Sequence, residues 1–397
     1  MNTLIASPKK RITSIDLLRG IIMVIMALDH VRDFFHVQAM TGDATNLQTT
    51  TPQLFFTRWI THYCAPIFVF LSGTSIYLQG LRKTKKELSI FLIKRGLWLI
   101  LAEITILTLG WTFNPLYNLL FIQVIWAIGI SMVIIGLLIR TSFSVILITG
   151  LLIVFCHNLL DYPEAARNQQ VGFWWNFLHH ARFSIYEIFP NHFALILYAF
   201  VPWTGLMCLG YCLGKFFDPN ITVEQRRKKL LMLGSLTILF FIAIRFINLY
   251  GDPAPWSVQK NSVFTFLSFI NVTKYPPSLM YISMIIGPAL IALALFENVK
   301  NKVSDFFTVF GRVPFFYYIL HLFLIHGLTV IGFYISGYGS KDIVSPNIPF
   351  LFRPATFGYS LKIVYLIWIF VILTLYPLCK WYNKYKSTHQ HWWLSYI

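Results

Sequence analysis

The chain has 397 residues, 57% of them hydrophobic and only 12% charged. Soluble domains carry about a quarter charged residues, so this composition excludes an ordinary soluble protein and points into a bilayer. A net charge of +17 invites a nucleic-acid reading, but the basic residues alternate with the loops as a membrane topology requires.

Apolar runs of roughly 17–25 residues can span a membrane, and the sequence predicts ten: 15–36, 55–80, 90–112, 117–139, 143–160, 192–214, 230–250, 278–297, 313–335 and 359–380. The expectation is an all-α polytopic integral membrane protein with about ten transmembrane helices, forming one domain over residues 1–397. Lys9, Lys10 and Arg11, the Arg82–Lys86 cluster, Arg226–Lys229 and Lys380–Lys386 fall on one side. The other side holds only Arg167, Arg182, Lys260, Lys274, Lys341, Arg353 and Lys362. Bases collect on the cytoplasmic face, which places both termini inside. The basic flank before the first run suggests a signal peptide. Asp16 and Arg19 interrupt that run, however, and no small-x-small site follows, so it is read as a retained helix.

Within this first run, DLLRGIIMVIMALDH is followed by Arg32 and Asp33. Arg19 and His30 are eleven residues apart, which at ~100° per residue leaves them about 20° apart in direction and about 16 Å along the axis. Asp33 at i+3 is the easier partner for His30, with Asp29 adjacent, and Asp16 can neutralise Arg19. These could be interfacial ion pairs and nothing more. Ionisable groups in hydrocarbon are costly, however, and a histidine titrates close to neutral pH.

The second run opens with TRWITHYC, which sets Arg58 and His62 one turn apart at the level of His30. Either could pair with Asp29 or Asp33. Lys94, Arg95 and Glu103 lie on the third run, and Glu103 could form a structural pair with Arg245 of the seventh. An aromatic outer segment (Phe173, Trp174, Trp175, Phe177, His179, His180, Tyr186) could stack on a sugar or simply sit at the membrane interface. The ninth run carries His321 and His326. All five cysteines fall in predicted helices, so no disulfide framework is expected. Cys208 and Cys212 are read as packing residues. His30, His62, His179, His180, His192 and His321 show no metal-ligand spacing, and no metal is expected.

RITSIDLLRGIIMVIMALDHVRDFF, THYCAPIFVFLSGTSIYL and KRGLWLILAE resemble bacterial membrane proteins grouped with the heparan-α-glucosaminide N-acetyltransferase catalytic domain. LYAFVPWTGLMCLGYCLGKFF, TKYPPSLMY and FFTVFGRVPFFYYILHLFLIHG are similar to the same family, and Arg19 and His30 match the Arg-x10-His pattern of membrane acyltransferases.

The resemblance implies a multi-pass enzyme of the bacterial inner membrane. It would move an acetyl or other acyl group from cytoplasmic acetyl-CoA, as co-substrate, to an amine or hydroxyl of an extracytoplasmic glycan. His30 is the implied catalytic residue, with Asp29 or Asp33 orienting its ring and His36 as the alternative. Arg19, Lys94 and Arg95 would bind acyl-CoA, and Arg58, His62, Glu103 and His321 would line the substrate pocket. The partners are then the lipid bilayer, acyl-CoA and a glycan acceptor, with no nucleic acid, and a homodimer is compatible. The rival is a proton-coupled secondary transporter using Asp29, His30 and Asp33 as its relay.

Overall fold

The computed structural model describes residues 12–345 and 348–396; Lys9, Lys10 and Arg11, counted above toward the inner-side charge, lie outside the described residues. The first apolar run becomes α1 (Thr13–Phe35), a 23-residue helix that the chain wraps around. The second run breaks into α2 (Pro52–Thr61) and α3 (Cys64–Gly80), which continue one another. A capping box between Thr84 and Glu87 starts α4 (Lys85–Ala102), an arrangement worth about 1 kcal/mol at a helix start. One π-helical turn, Glu103–Leu107, then leads into α5 (Thr108–Thr112).

The fourth run does not begin as a helix. Leu119–Ile122 is a strand, β1, before α6 (Val124–Leu138). After α7 (Phe143–Cys156), α8 (Asp161–Ala166) and α9 (Phe173–Leu178) come the strands β2 (Ser184–Phe189) and β3 (His192–Ile196). The sheet order is β1-β3-β2, with β3 parallel to β1 and antiparallel to β2. Asn191, at φ +61, closes the β2–β3 hairpin, and its N–H donates to Glu187. The chain is mostly helical, consistent with the all-α expectation, and this small sheet is the one addition among the described residues, because short apolar runs such as LLFI and HFALI fit a strand and a helix equally well.

The rest is helical: α10 (Phe200–Leu213), α11 (Val223–Ile247), α12 (Ser262–Ile270), α13 (Leu279–Phe296), α14 (Lys302–Arg312), α15 (Pro314–Ile335) and α16 (Leu361–Thr388). Among the described residues six segments are long and apolar enough to cross a membrane: Pro52–Gly80, Phe143–Ala166, Val223–Ile247, Leu279–Phe296, Pro314–Ile335 and Leu361–Thr388. The other expected spans fall short for physical reasons. Two begin as strands, α4 is broken by the π turn, and α1 is interrupted by charge. In α13 the most apolar stretch is 72% buried, against 22% in α11 and α16. So α13 belongs to the interior and α11 and α16 to the rim.

α1 packs against α2, α3, α13, α14, α15 and α16. Its approach to α14 is a backbone contact. A Cβ on Gly20 would lie 1.9 Å from the Phe307 carbonyl oxygen, and one on Gly311 1.8 Å from that of Asp16. Small residues permit this closeness, which is how membrane helices gain packing energy where water does not drive association. At its other end α1 is strapped by the 353–359 segment. Val37 N–H donates to Tyr359 O at 3.1 Å, and Tyr359 N–H to Phe35 O at 2.7 Å. The fully buried Arg353 donates to the carbonyls of His36, Pro354 and Phe357.

Candidate active site

The last turns of α1 carry a closed charge lattice. Arg58 of α2 donates to both carboxylate oxygens of Asp29, at 2.6 and 2.5 Å. Arg32 reaches Asp29 at 3.1 Å and Asp33 at 2.6 Å. Two acids meet two bases, so this patch is neutral. Asp29 and Arg32 are buried, while Asp33 is partly exposed. The expected pairing of Arg58 with an α1 carboxylate is present. The expected role of Asp33 or Asp29 in holding the His30 ring is not, because both carboxylates are taken up by guanidinium groups.

His30 is held by another histidine. Its Nδ1 lies 2.6 Å from Nε2 of His321, and the two rings stack with centroids 4.9 Å apart. The Nδ1 of His321 lies 3.0 Å from the carbonyl oxygen of Tyr317. A carbonyl only accepts, so in the neutral pair His321 carries its proton on Nδ1. Its Nε2 then offers a lone pair, and His30 must donate to it from Nδ1. This leaves a lone pair on His30 Nε2, which has no hydrogen-bond partner among the described residues. Trp111 packs edge-on against the ring at 4.7 Å and Tyr318 at 6.0 Å. The chain Tyr317 O–His321–His30 therefore selects the tautomer that can take up a proton.

His30 opens on a cavity of about 800 Å³ at the C-terminal end of α1, within the range of roughly 300–1,000 Å³ usual for small-molecule sites. Asp29, Asp33, Arg58 and His62 also line it, as do Trp111, Tyr198 and Tyr318. Phe121 and Gln123, in and just after β1, and Leu195 of β3 supply one wall. The small sheet is thus a wall of the site. His62 is buried edge-on to Tyr281, 5.6 Å between centroids, with Nδ1 unpartnered.

Other residues expected at the site stand elsewhere. His36 lines a second cavity of about 290 Å³ that shares Arg32, Gly42, Asp43 and Ala44 with the first. Its Nδ1 accepts from Gln38 N–H at 3.3 Å. Its pKa lies below the ordinary value, chiefly through burial and then through Arg32 and Arg353. Glu103 is fully buried and accepts the Trp126 N–H at 2.8 Å, so it caps the start of α6. It does not meet Arg245, which donates to the carbonyls of Phe269, Ala254, Ser268 and Asn271 and sits 4.0 Å from Asp252. Near the N-terminal end of α1, Arg19 donates to Asp16 at 3.3 Å, to Gly311 O at 3.2 Å and to Ser75 at 3.0 Å. Lys94 is exposed, and Arg95 donates to the Ser395 carbonyl.

The aromatic segment around Trp174 does not face the cavity; only Arg182 and Phe183 at its end do so. Its histidines bind Glu164 instead, His179 at 2.7 Å and His180 at 2.9 Å, with Trp175 donating at 2.6 Å. Asp161, Glu164 and His179 bring ligand atoms within 4.8 Å of one another, a donor set that could hold a cation. Three N–H groups already satisfy Glu164, so the cluster also closes without one. The five cysteines are free.

Sequence reasoning missed Arg182, Lys274, Tyr198 and Gln123 in the cavity wall. One signal for the first two was available. Outer loops are poor in bases, so each base found there calls for a specific partner.

No curated protein matches the chain. Residues 11–246 match the family described as heparan-alpha-glucosaminide N-acetyltransferase, catalytic. That stretch covers more than half the sequence and contains α1, the Asp29–Arg58 lattice and His30, and the chain belongs to this family of membrane acetyltransferases.

Proposed function

We propose that this protein transfers an acetyl group from acetyl-CoA to an amine or hydroxyl of a glycan that enters the cavity beside His30. The observation that carries the reading is the lone pair on His30 Nε2, fixed by His321 and facing a cavity of substrate size. In this reading Nε2 removes the proton from the acceptor N–H or O–H, and the freed lone pair attacks the thioester carbonyl. The C–S bond breaks, and the departing thiolate takes the proton back from the imidazolium. The products are the acylated acceptor and free CoA.

The neutral lattice of Asp29, Arg32, Asp33 and Arg58 holds the end of α1 that carries His30, with Arg32 shared between Asp29 and Asp33. Arg19, Lys94 and Arg95 belong to the opposite end of the bundle, the cytoplasmic end in this reading, which the clustering of basic loops there supports. They would receive the CoA phosphates, and the pantetheine arm would cover the about 16 Å between Arg19 and His30. The whole chain acts as one catalytic domain in the cytoplasmic membrane of a bacterium.

The test uses protein in nanodiscs with radiolabelled acetyl-CoA and a glucosamine acceptor, wild type beside His30→Ala. Loss of a general base should slow CoA release by about 10²–10⁴-fold. Undiminished release from His30→Ala would overturn the assignment. Proton flux in liposomes without CoA release would move it to transport.

A further inference from the structure

The cavity holds more positive charge than its carboxylates consume. Arg32 and Arg58 are spent on Asp29 and Asp33. The charged groups left in the wall are Arg182, Lys274 and Asp43. Asp43 is turned onto its own loop, accepting from Thr45 N–H at 2.8 Å and Thr45 Oγ1 at 2.9 Å. Among the described residues neither Arg182 nor Lys274 forms an ion pair. The Nε of Arg182 is buried without any hydrogen-bond partner. The Nε of Arg32 in the same wall is orphaned too, so what marks Arg182 out is a guanidinium facing the cavity with no carboxylate partner.

Both cations sit on segments built to hold them. Arg182 lies between Ala181 at φ +40 and Phe183 at φ +52. Left-handed backbone on both sides of a non-glycine residue stores strain, which folds tolerate mainly at functional positions. Lys274 follows Thr273, whose N–H and Oγ1 both donate to Asp252 at 2.9 Å, and Asp252 also takes Ser278 Oγ at 2.6 Å. Arg245 braces the same loop through the carbonyls of Ala254 and Asn271. The two segments meet where Phe183 packs edge-on against Tyr275, with centroids 5.0 Å apart. Lys274 lines the same cavity as Asp29 and His30.

We propose that Arg182 and Lys274 form an anion subsite, and that the acceptor acylated at His30 is a sugar carrying a phosphate or a carboxylate. The anion would occupy the subsite while the reacting amine or hydroxyl reaches His30 Nε2. The second half of this statement rests on the acyl-transfer reading; the subsite itself does not.

The first measurement therefore omits the acyl donor. Equilibrium binding of glucosamine, glucosamine 6-phosphate and glucuronic acid is compared in neutral-lipid nanodiscs. The proteins are wild type, the double variant Arg182→Gln/Lys274→Gln, the charge-preserving Arg182→Lys, and Lys341→Gln as a control on an exposed outer base. An anionic sugar should bind wild type roughly tenfold or more tightly than glucosamine, and the gain should shrink with added salt. The preference should vanish in the double variant and persist in Arg182→Lys and Lys341→Gln. Preference for the phosphate or for the carboxylate names the group. Equal affinity for neutral and anionic sugars in wild type, or a preference that survives the double variant, overturns the subsite. Anion preference without acetyl-CoA turnover would leave the subsite standing and remove the acyltransferase. Turnover on glucosamine with no anion preference would do the reverse.

Discussion

Replacing His321 separates catalysis from mere packing, because this side chain has no direct access to the cavity and touches the reaction only through His30. His321→Leu keeps the bulk and removes the acceptor for His30 Nδ1–H, a contact now at 2.6 Å. A buried donor left without its acceptor costs about 1–3 kcal/mol, which at 1.36 kcal/mol per decade is roughly 5–150-fold in rate. The imidazole can escape that cost by moving its proton to Nε2, but this tautomer is no longer a base. The loss is then bounded by what a general base contributes, about 10²–10⁴-fold.

The expected outcome for His321→Leu is a kcat for acetyl-CoA turnover that falls about 10–100-fold, with little change in acceptor KM. His321→Gln, whose side-chain carbonyl can accept from Nδ1–H, should recover most of it. Thermal unfolding of both variants is followed alongside. A positioning role requires that Gln rescue the rate and Leu not, at similar Tm. Wild-type kcat in His321→Leu, or equal loss in both variants, would refute the tautomer argument.

Asp29→Ala should destabilise the protein by about 3–5 kcal/mol, because it strands Arg58 in a buried lattice while Arg32 keeps only Asp33; the double variant Asp29→Ala/Arg58→Met should regain part of the lost Tm, and a double variant no better than the single would contradict the pairing. Gly20→Ala places a Cβ against the Phe307 carbonyl and should cost about 1–3 kcal/mol by forcing α1 from α14, whereas Gly42→Ala, with nothing within 4 Å of its Cβ, should leave Tm unchanged. The folded-state pKa of His36 is lowered by burial, so as pH falls below about 6.5 the unfolded chain takes up a proton first and stability drops. His36→Gln should flatten that part of the Tm–pH curve, and an unchanged slope would show that His36 does not contribute.

Much of the helical order could be read from hydropathy, since each of the ten apolar runs coincides with at least part of a helix. The strands could not, because β1 and β3 are four- and five-residue pieces fused to longer apolar stretches, where periodicity does not discriminate. At the site, helix spacing placed Asp29, His30, Arg58 and His62 around one volume. It misassigned the partner of His30, because i+3 proximity to Asp33 says nothing about Arg32, which takes that carboxylate at 2.6 Å. His321 is 291 positions away from His30, and no local rule reaches that far. Arg182 and Lys274 likewise come from separate outer loops that only the Phe183–Tyr275 contact brings together.

The Asp29 lattice and the paired histidines divide the work of placing a charge near a membrane. A lone buried ion would be ruinous there, but Asp29, Arg32, Asp33 and Arg58 sum to zero, and the Arg58–Asp29 hydrogen bonds of 2.6 and 2.5 Å tie α1 to α2. Because that patch is closed on itself, it neither draws a ligand nor competes for one. His30 can then remain neutral with its lone pair exposed to the cavity, held by another neutral ring. The net positive field in the cavity is left to Arg182 and Lys274. Removing Asp29 would reverse this division: Arg32 would keep Asp33, but Arg58 would become a free cation near His30, and an anionic ligand should then bind nearer the base and in a less productive pose. Asp29→Asn, which keeps the shape and drops the charge, should therefore bind glucosamine 6-phosphate at least as tightly as wild type while turning over more slowly. Weaker binding in Asp29→Asn would mean that the carboxylate contacts the ligand itself and that the lattice is part of the binding site.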